Sequence, residues 1–208
     1  MDGSGVGRGC CALMMPVIEK GRALPLAWRV RQCPKGHCPE DLHIALVELV
    51  LELIPAGTKV VFLGDGECDG IKLQETMHEA GWWYACRTSK GNTATWENET
   101  FDVAELGACI KPGRLIERKE VALTREAYGP VMLRCCWAKG HAEPLYFVRN
   151  LSSAEEAIDY YTKRFRIETF FSDQKSRGFN IHTSHVTDPQ RLSRLFIASC
   201  LAYIWFVY

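Results

Sequence analysis

The 208-residue sequence carries no excess of either charge: 25 Lys and Arg stand against 25 Asp and Glu. That balance excludes a uniformly basic nucleic-acid coat, although it leaves room for a local basic face. No apolar run reaches the roughly 20 residues needed to span a bilayer. The last stretch, residues 195–208, is apolar all round but shorter, and it predicts a buried helix rather than a membrane anchor. The start lacks a basic segment leading into an apolar core, so no secretory signal is read. The glycines at 3, 5, 7 and 9 match neither the dinucleotide-binding pattern nor a P-loop.

What is present is the composition of a globular chain. With 47% hydrophobic and 24% charged residues it is neither disordered nor fibrous, and its length supports a core without covalent staples. The ten cysteines are scattered, and in the absence of a signal they read as reduced, mostly buried thiols. Cys33-x4-Cys38, with His37 and His43 nearby, offers a zinc set. It is set aside because no second pair at standard spacing accompanies it.

Residues 10–18 and 23–31 are apolar runs split by Glu19-Lys20-Gly21-Arg22, the pattern of a β-hairpin. A strand stub is expected over residues 1–7. Pro39-Glu40-Asp41 opens a helix that Pro55-Ala56-Gly57 stops. Residues 60–64 form a continuous apolar run, as in a strand buried on both faces, and a helix at 73–80 and a strand at 82–87 follow. Strands are expected at 114–123, 131–137 and 144–148, with turns at Tyr128-Gly129-Pro130 and Lys139-Gly140-His141. A helix capped at Ser152-Ser153 runs on towards Gly178. The neutral total hides a gradient: residues 59–110 hold 4 basic and 9 acidic groups, 111–150 hold 8 and 4, and 161–208 hold 7 and 3.

Two places carry chemistry. Asp65 follows the apolar strand at its carboxyl end, where open α/β sheets place their sites, and Gly64 and Gly66 let groups approach closely. Tyr161, Arg164, Glu168 and Lys175 are spaced by 3, 4 and 7, which puts them on one helix face. A phenol, a guanidinium, a carboxylate and an ammonium on one face suit metal and phosphate, or else a solvated face of internal ion pairs.

The string Tyr161-x2-Arg164-x3-Glu168-x6-Lys175 resembles the signature of DDE transposases of the insertion-sequence-4 type. The segment Gly64-Asp65-Gly66-Glu67-Cys68-Asp69-Gly70 resembles the context of their second catalytic aspartate, and Asp2-Gly3-Ser4 that of their first. The resemblance implies an α/β, ribonuclease-H-like mixed sheet flanked by helices, with a strand-rich insertion between the second and third carboxylates. It divides the chain into a first part of the catalytic domain at 1–92, a β-rich insertion at 93–150, and the catalytic helix and remainder at 151–208.

Carried over residue by residue, it implies that Asp2, Asp65 and Glu168 are catalytic and hold two Mg²⁺ or Mn²⁺ ions, while Tyr161, Arg164 and Lys175 bind DNA. The function implied is DNA-mediated transposition by a mobile element in the bacterial cytoplasm, nucleoid-associated. Its partners would be transposon ends and target DNA, with a homodimer in the full-length form and no membrane. Because Asp2 lies one residue from the start, a catalytic-domain fragment is expected, truncated in its first strand and open to being inactive. The alternatives are an inert DNA-binding remnant and a metal-dependent nuclease of the same fold.

Lesser signals are weighed against duller explanations. Asp65-x-Glu67-x-Asp69-Gly70 imitates a calcium loop, but its twelfth position is Thr76 and a strand precedes it. Glu67 and Asp69 are expected as exposed or capping carboxylates. Trp96 and Trp137 suit base stacking less well than packing, and His182 and His185 are read as surface histidines.

Overall fold

The computed structural model describes residues 1–33, 38–151 and 154–207, with side chains from residue 163 onward in the last stretch. In chain order the elements are β1 (Asp2–Val6), β2 (Cys10–Glu19), β3 (Arg22–Arg31), α1 (Glu40–Leu53), β4 (Val61–Gly64), α2 (Ile71–Glu79) and β5 (Trp83–Arg87). Then come β6 (Thr93–Trp96), β7 (Glu99–Asp102), α3 (Val103–Ala108), β8 (Arg114–Leu123), β9 (Tyr128–Trp137), β10 (Leu145–Arg149), α4 (Ala154–Gln174) and α5 (Pro189–Val207). They form two compact units: Met1–Thr58 with Tyr161–Tyr208, and Lys59–Tyr160.

In the first unit β1, β2 and β3 make an antiparallel sheet in that order. The expected hairpin is β2–β3. Lys20 and Gly21 both take positive φ, 46° and 76°, the turn whose twist matches its flanking strands. Alternation sends Val6, Cys10, Ala12 and Met14 to one face, where they pack with Ile167, Phe170 and Phe171 of α4 and Leu192, Phe196, Cys200 and Tyr203 of α5. Cys11 and Leu13 are equally buried and point the other way. Helix α1 packs on β2 and β3 through Leu42, Leu46, Val47 and Val50, and Glu40 and Asp41 in its first turn complement the helix dipole.

Helix α5 differs from the buried tail expected. Leu192, Phe196, Ser199, Cys200 and Tyr203 face the core at helical spacing, while Leu201, Trp205 and Phe206 stand in solvent, the last two almost fully. One apolar stripe suffices to dock a helix on a three-stranded sheet, so the remaining apolar residues lie outside. Among the described residues no helix is long and apolar enough to cross a membrane.

The second unit is a seven-stranded mixed sheet in the order β4-β5-β10-β9-β8-β6-β7, flanked by helices. Strands β4 and β5 are parallel and joined through α2, which fixes a βαβ unit; the other pairings are antiparallel. The strands between residues 93 and 150 join β4 and β5 in one sheet rather than making a sheet of their own. Strand β4 alternates buried and half-buried residues, so it is not buried on both faces as its apolar run implied. The turn expected at Tyr128-Gly129-Pro130 lies just before it, where Thr124 and Ala127 take positive φ and Tyr128 already pairs with Leu123. The cap expected at Ser152-Ser153 lies outside the described residues. Helix α4 ends at Gln174, short of Gly178.

Candidate active site

Asp2 is the first residue of β1 and pairs across the sheet with Met14. Alternation places it on the same face as Val6, whose core partners include Ile167 of α4. Arg164, one turn before Ile167, therefore comes up against Asp2. Its Nη1 lies 3.6 Å from Asp2 Oδ2, and its Nη2 donates to Glu168 Oε1 at 2.8 Å. Two carboxylates from opposite ends of the sequence thus share one guanidinium. The arrangement is graded in exposure: Asp2 and Arg164 are about nine-tenths buried at their side chains, whereas Glu168 is 53% exposed. Asp2 is further held by the Gly3 amide, which donates to its Oδ1 at 2.8 Å.

Two anionic groups at one cation mark where positive charge is needed when the carboxylates are ionised. Carboxylate oxygens are hard donors, the class that Mg²⁺ and Mn²⁺ prefer. Asp2 and Glu168 offer donors of that class, and in this structure the Arg164 guanidinium neutralises both.

In the second unit Asp65 follows β4 at its carboxyl end, the position read from the sequence. It caps the short 3-10 turn Gly66–Cys68: Glu67 N–H donates to Asp65 Oδ1 at 3.0 Å, and Cys68 Sγ lies 3.7 Å from the same oxygen. The turn is tight because Gly64 has no side chain. A Cβ built there would sit 2.3 Å from Cys68 Cβ and 3.0 Å from Cys86 Sγ. Gly66, expected to serve the same purpose, has nothing within 4 Å of its own Cβ position.

Gly64→Ala is therefore expected to cost about 1–3 kcal/mol by overpacking and to displace the turn that carries Asp65. Gly66→Ala should stay within about 0.5 kcal/mol. Urea unfolding of the two variants checks the contrast.

Asp69 plays a structural part. Its Oδ2 accepts from Thr88 Oγ1, Ser89 N and Asn92 Nδ2 at 3.2, 3.0 and 3.1 Å, tying the Asp65 loop to the chain leaving β5. Trp96 carries the Arg118 guanidinium over its ring at 4.4 Å, and Trp137 Nε1 donates to His141 O, so both indoles have partners within the fold. Lys175 follows α4 and is half-buried, its amide still bonded to Phe171 O. The side chain of Tyr161 lies outside the described residues. A cleft of about 310 Å³ between the β2–β3 turn and the two long helices is lined by Arg22, Arg166, Thr169 and Tyr203. Sequence reasoning did not single out its two arginines, which belong to different elements and to no spaced motif.

No curated protein matches the chain. Among solved structures it is similar to a piggyBac transposase, in a synaptic complex with hairpin DNA, with a TM-score of 0.56 at 12% identity. That match covers 88% of this chain and 37% of the other, so the chain spans little more than a third of its structural relative. The likeness establishes a mixed α/β fold shared with part of that transposase. A family model, the transposase DDE domain, matches residues 40–205, most of the chain. The protein belongs to the transposase DDE-domain family.

Proposed function

We propose that this chain is the catalytic domain of an insertion-sequence-4 type transposase, with Asp2, Asp65 and Glu168 as its metal-binding carboxylates. The observation that carries the reading is the Asp2–Arg164–Glu168 bridge, which pairs two of the three motif carboxylates across one cation. Asp65 enters on its motif context and its place after a parallel strand. The core is ribonuclease-H-like, with 1–92 and 151–208 as its two parts and 93–150 as the insertion.

DDE-domain chemistry depends on divalent metal. Two Mg²⁺ or Mn²⁺ ions, when bound, supply activation of a water and stabilisation of the leaving oxygen for in-line displacement. Asp2 and Glu168 offer the hard oxygens, and Asp2 is fixed by its sheet pairing and by the Gly3 amide. Arg164 holds the two carboxylates together. Tyr161 and Lys175 contact the phosphates of the transposon end.

Water cleaves the phosphodiester at that end, leaving a 3′-hydroxyl on the element and a 5′-phosphate on the flank. The 3′-hydroxyl then attacks a target phosphodiester, forming the new bond as a target 3′-hydroxyl leaves. The full-length protein works as a homodimer on DNA at the bacterial nucleoid.

The test incubates the 208-residue chain with a labelled inverted-repeat duplex and Mn²⁺ or Mg²⁺. Metal-dependent nicking stopped by a chelator, followed by joined products, is the expected result. Nicking without joining identifies a nuclease of the same fold. Salt-sensitive binding with no cleavage under any metal identifies an inert remnant.

A further inference from the structure

Three cysteines from separate stretches of chain meet in the first unit. The sulfurs of Cys11, Cys33 and Cys38 lie within 4.8 Å of one another, and those of Cys33 and Cys38 are 3.4 Å apart. Cys11 is fully buried and the other two are half-buried. Sheet register explains the meeting. Cys11 of β2 pairs with Arg31, the last residue of β3, so the chain leaving β3 carries Cys33 past it. Cys38 arrives two residues before α1 begins. The adjacent Cys10 points to the opposite face, where its Sγ donates to Thr187 O at 3.3 Å.

We propose that Cys11, Cys33 and Cys38 form a zinc site, binding Zn²⁺ through three thiolates. Zinc–thiolate bonds of about 2.3 Å at tetrahedral angles set neighbouring sulfurs roughly 3.8 Å apart. The observed spacings bracket that value, so small side-chain rotations complete the geometry. The ligands are all soft, with no carboxylate among them, which favours zinc over the hard cations suited to Asp2 and Glu168. A disulfide would use only two of the three sulfurs and would have to close 3.4 Å to about 2.05 Å.

Burial and the neighbouring sulfurs push the Cys38 thiol up; a bound dication displaces the protons of the thiols that ligate it. Three ligands leave the fourth corner of the tetrahedron to water or another donor. Bound metal would pin the β3–α1 connection to β2, on the sheet face opposite α4 and α5. The proposal is independent of the transposase chemistry.

The experiment uses the whole reduced chain. Anaerobic Co²⁺ titration is expected to give thiolate-to-cobalt charge-transfer absorption saturating near one equivalent, and Zn²⁺ should bleach it. Alkylation mapped by mass spectrometry should show Cys11, Cys33 and Cys38 protected by zinc, while the exposed Cys109 is labelled throughout. Cys33→Ser and Cys38→Ser should each weaken Co²⁺ binding at least about tenfold, a loss comparable with that of an outer-shell partner. Cys109→Ser should leave it unchanged.

Absence of the charge-transfer band in the unmodified chain overturns the proposal whatever the variants do. Equal labelling of all three cysteines with and without zinc overturns it too. So does a Cys33–Cys38 disulfide that forms in the presence of excess zinc.

Discussion

Glu168→Ala should lower metal-dependent cleavage by about a hundredfold or more while costing only about 1 kcal/mol of stability. Removing a metal-binding carboxylate costs at least what losing an outer-shell partner costs, which is ten- to a hundredfold. The stability cost is small because Glu168 is 53% exposed and its partner is one turn away on the same helix. With Glu168 half in solvent and Arg164 still paired to Asp2, losing the i,i+4 pair should cost about 1 kcal/mol. Arg164 keeps its contact with Asp2, so the buried half of the bridge survives. Rates of duplex nicking, paired with thermal melting, separate the two effects. Unchanged cleavage would remove Glu168 from the catalytic set, and lost cleavage with a collapsed melting curve would mean its role is structural.

Glu117→Ala should have the opposite signature, a large loss of stability in the second unit. Glu117 sits on β8 beside Arg134 of β9 and Arg149 of β10, three strands adjacent in the sheet. Its Oε2 lies 3.2 Å from Arg134 Nε and 2.5 Å from Arg149 Nη2. Both guanidiniums are at least 95% buried at the side chain, and Arg149 also donates to Leu151 O.

Burial pulls the Arg134 pKa down and Glu117 draws it back up, the balance expected of a cation kept charged by its counter-ion. Without that carboxylate two buried cations face each other across the sheet, at a cost of about 3–5 kcal/mol. The melting temperature should fall by roughly 6–20 °C. Glu143→Ala, which breaks the exposed Lys90–Glu143 pair, is the control and should cost about 1 kcal/mol at most. A Glu117 variant melting like the Glu143 variant would refute the account.

How much of this was legible beforehand depends on how local each signal is. The hairpin β2–β3, helix α1 and strands β8 and β10 were readable because apolar periodicity and Gly or Pro punctuation act over a few residues. The hairpin β6–β7 was missed because its turn residues are Glu97 and Asn98, which take positive φ without the glycine that usually marks such a turn. Arg164 and Glu168 could be placed on one helix face from spacing alone. That Arg164 turns its charge to Asp2 could not, since this follows from the register of β1 and the seating of α4. The same limit hid Cys11. Cys33 and Cys38 are close in sequence, but their third neighbour is supplied by a cross-strand pairing that no short motif encodes.

The first unit is built from the two ends of the chain, with the whole second unit between them. During synthesis this fixes an order of events. Strands β1 to β3 leave the ribosome before the second unit, with the core face of Val6, Ala12 and Met14 uncovered until α4 and α5 follow. The seven-stranded sheet is contiguous and can close in the meantime. Asp2 thus leaves the ribosome well before Arg164 and Glu168, and the carboxylate pair assembles only once the second unit has been made.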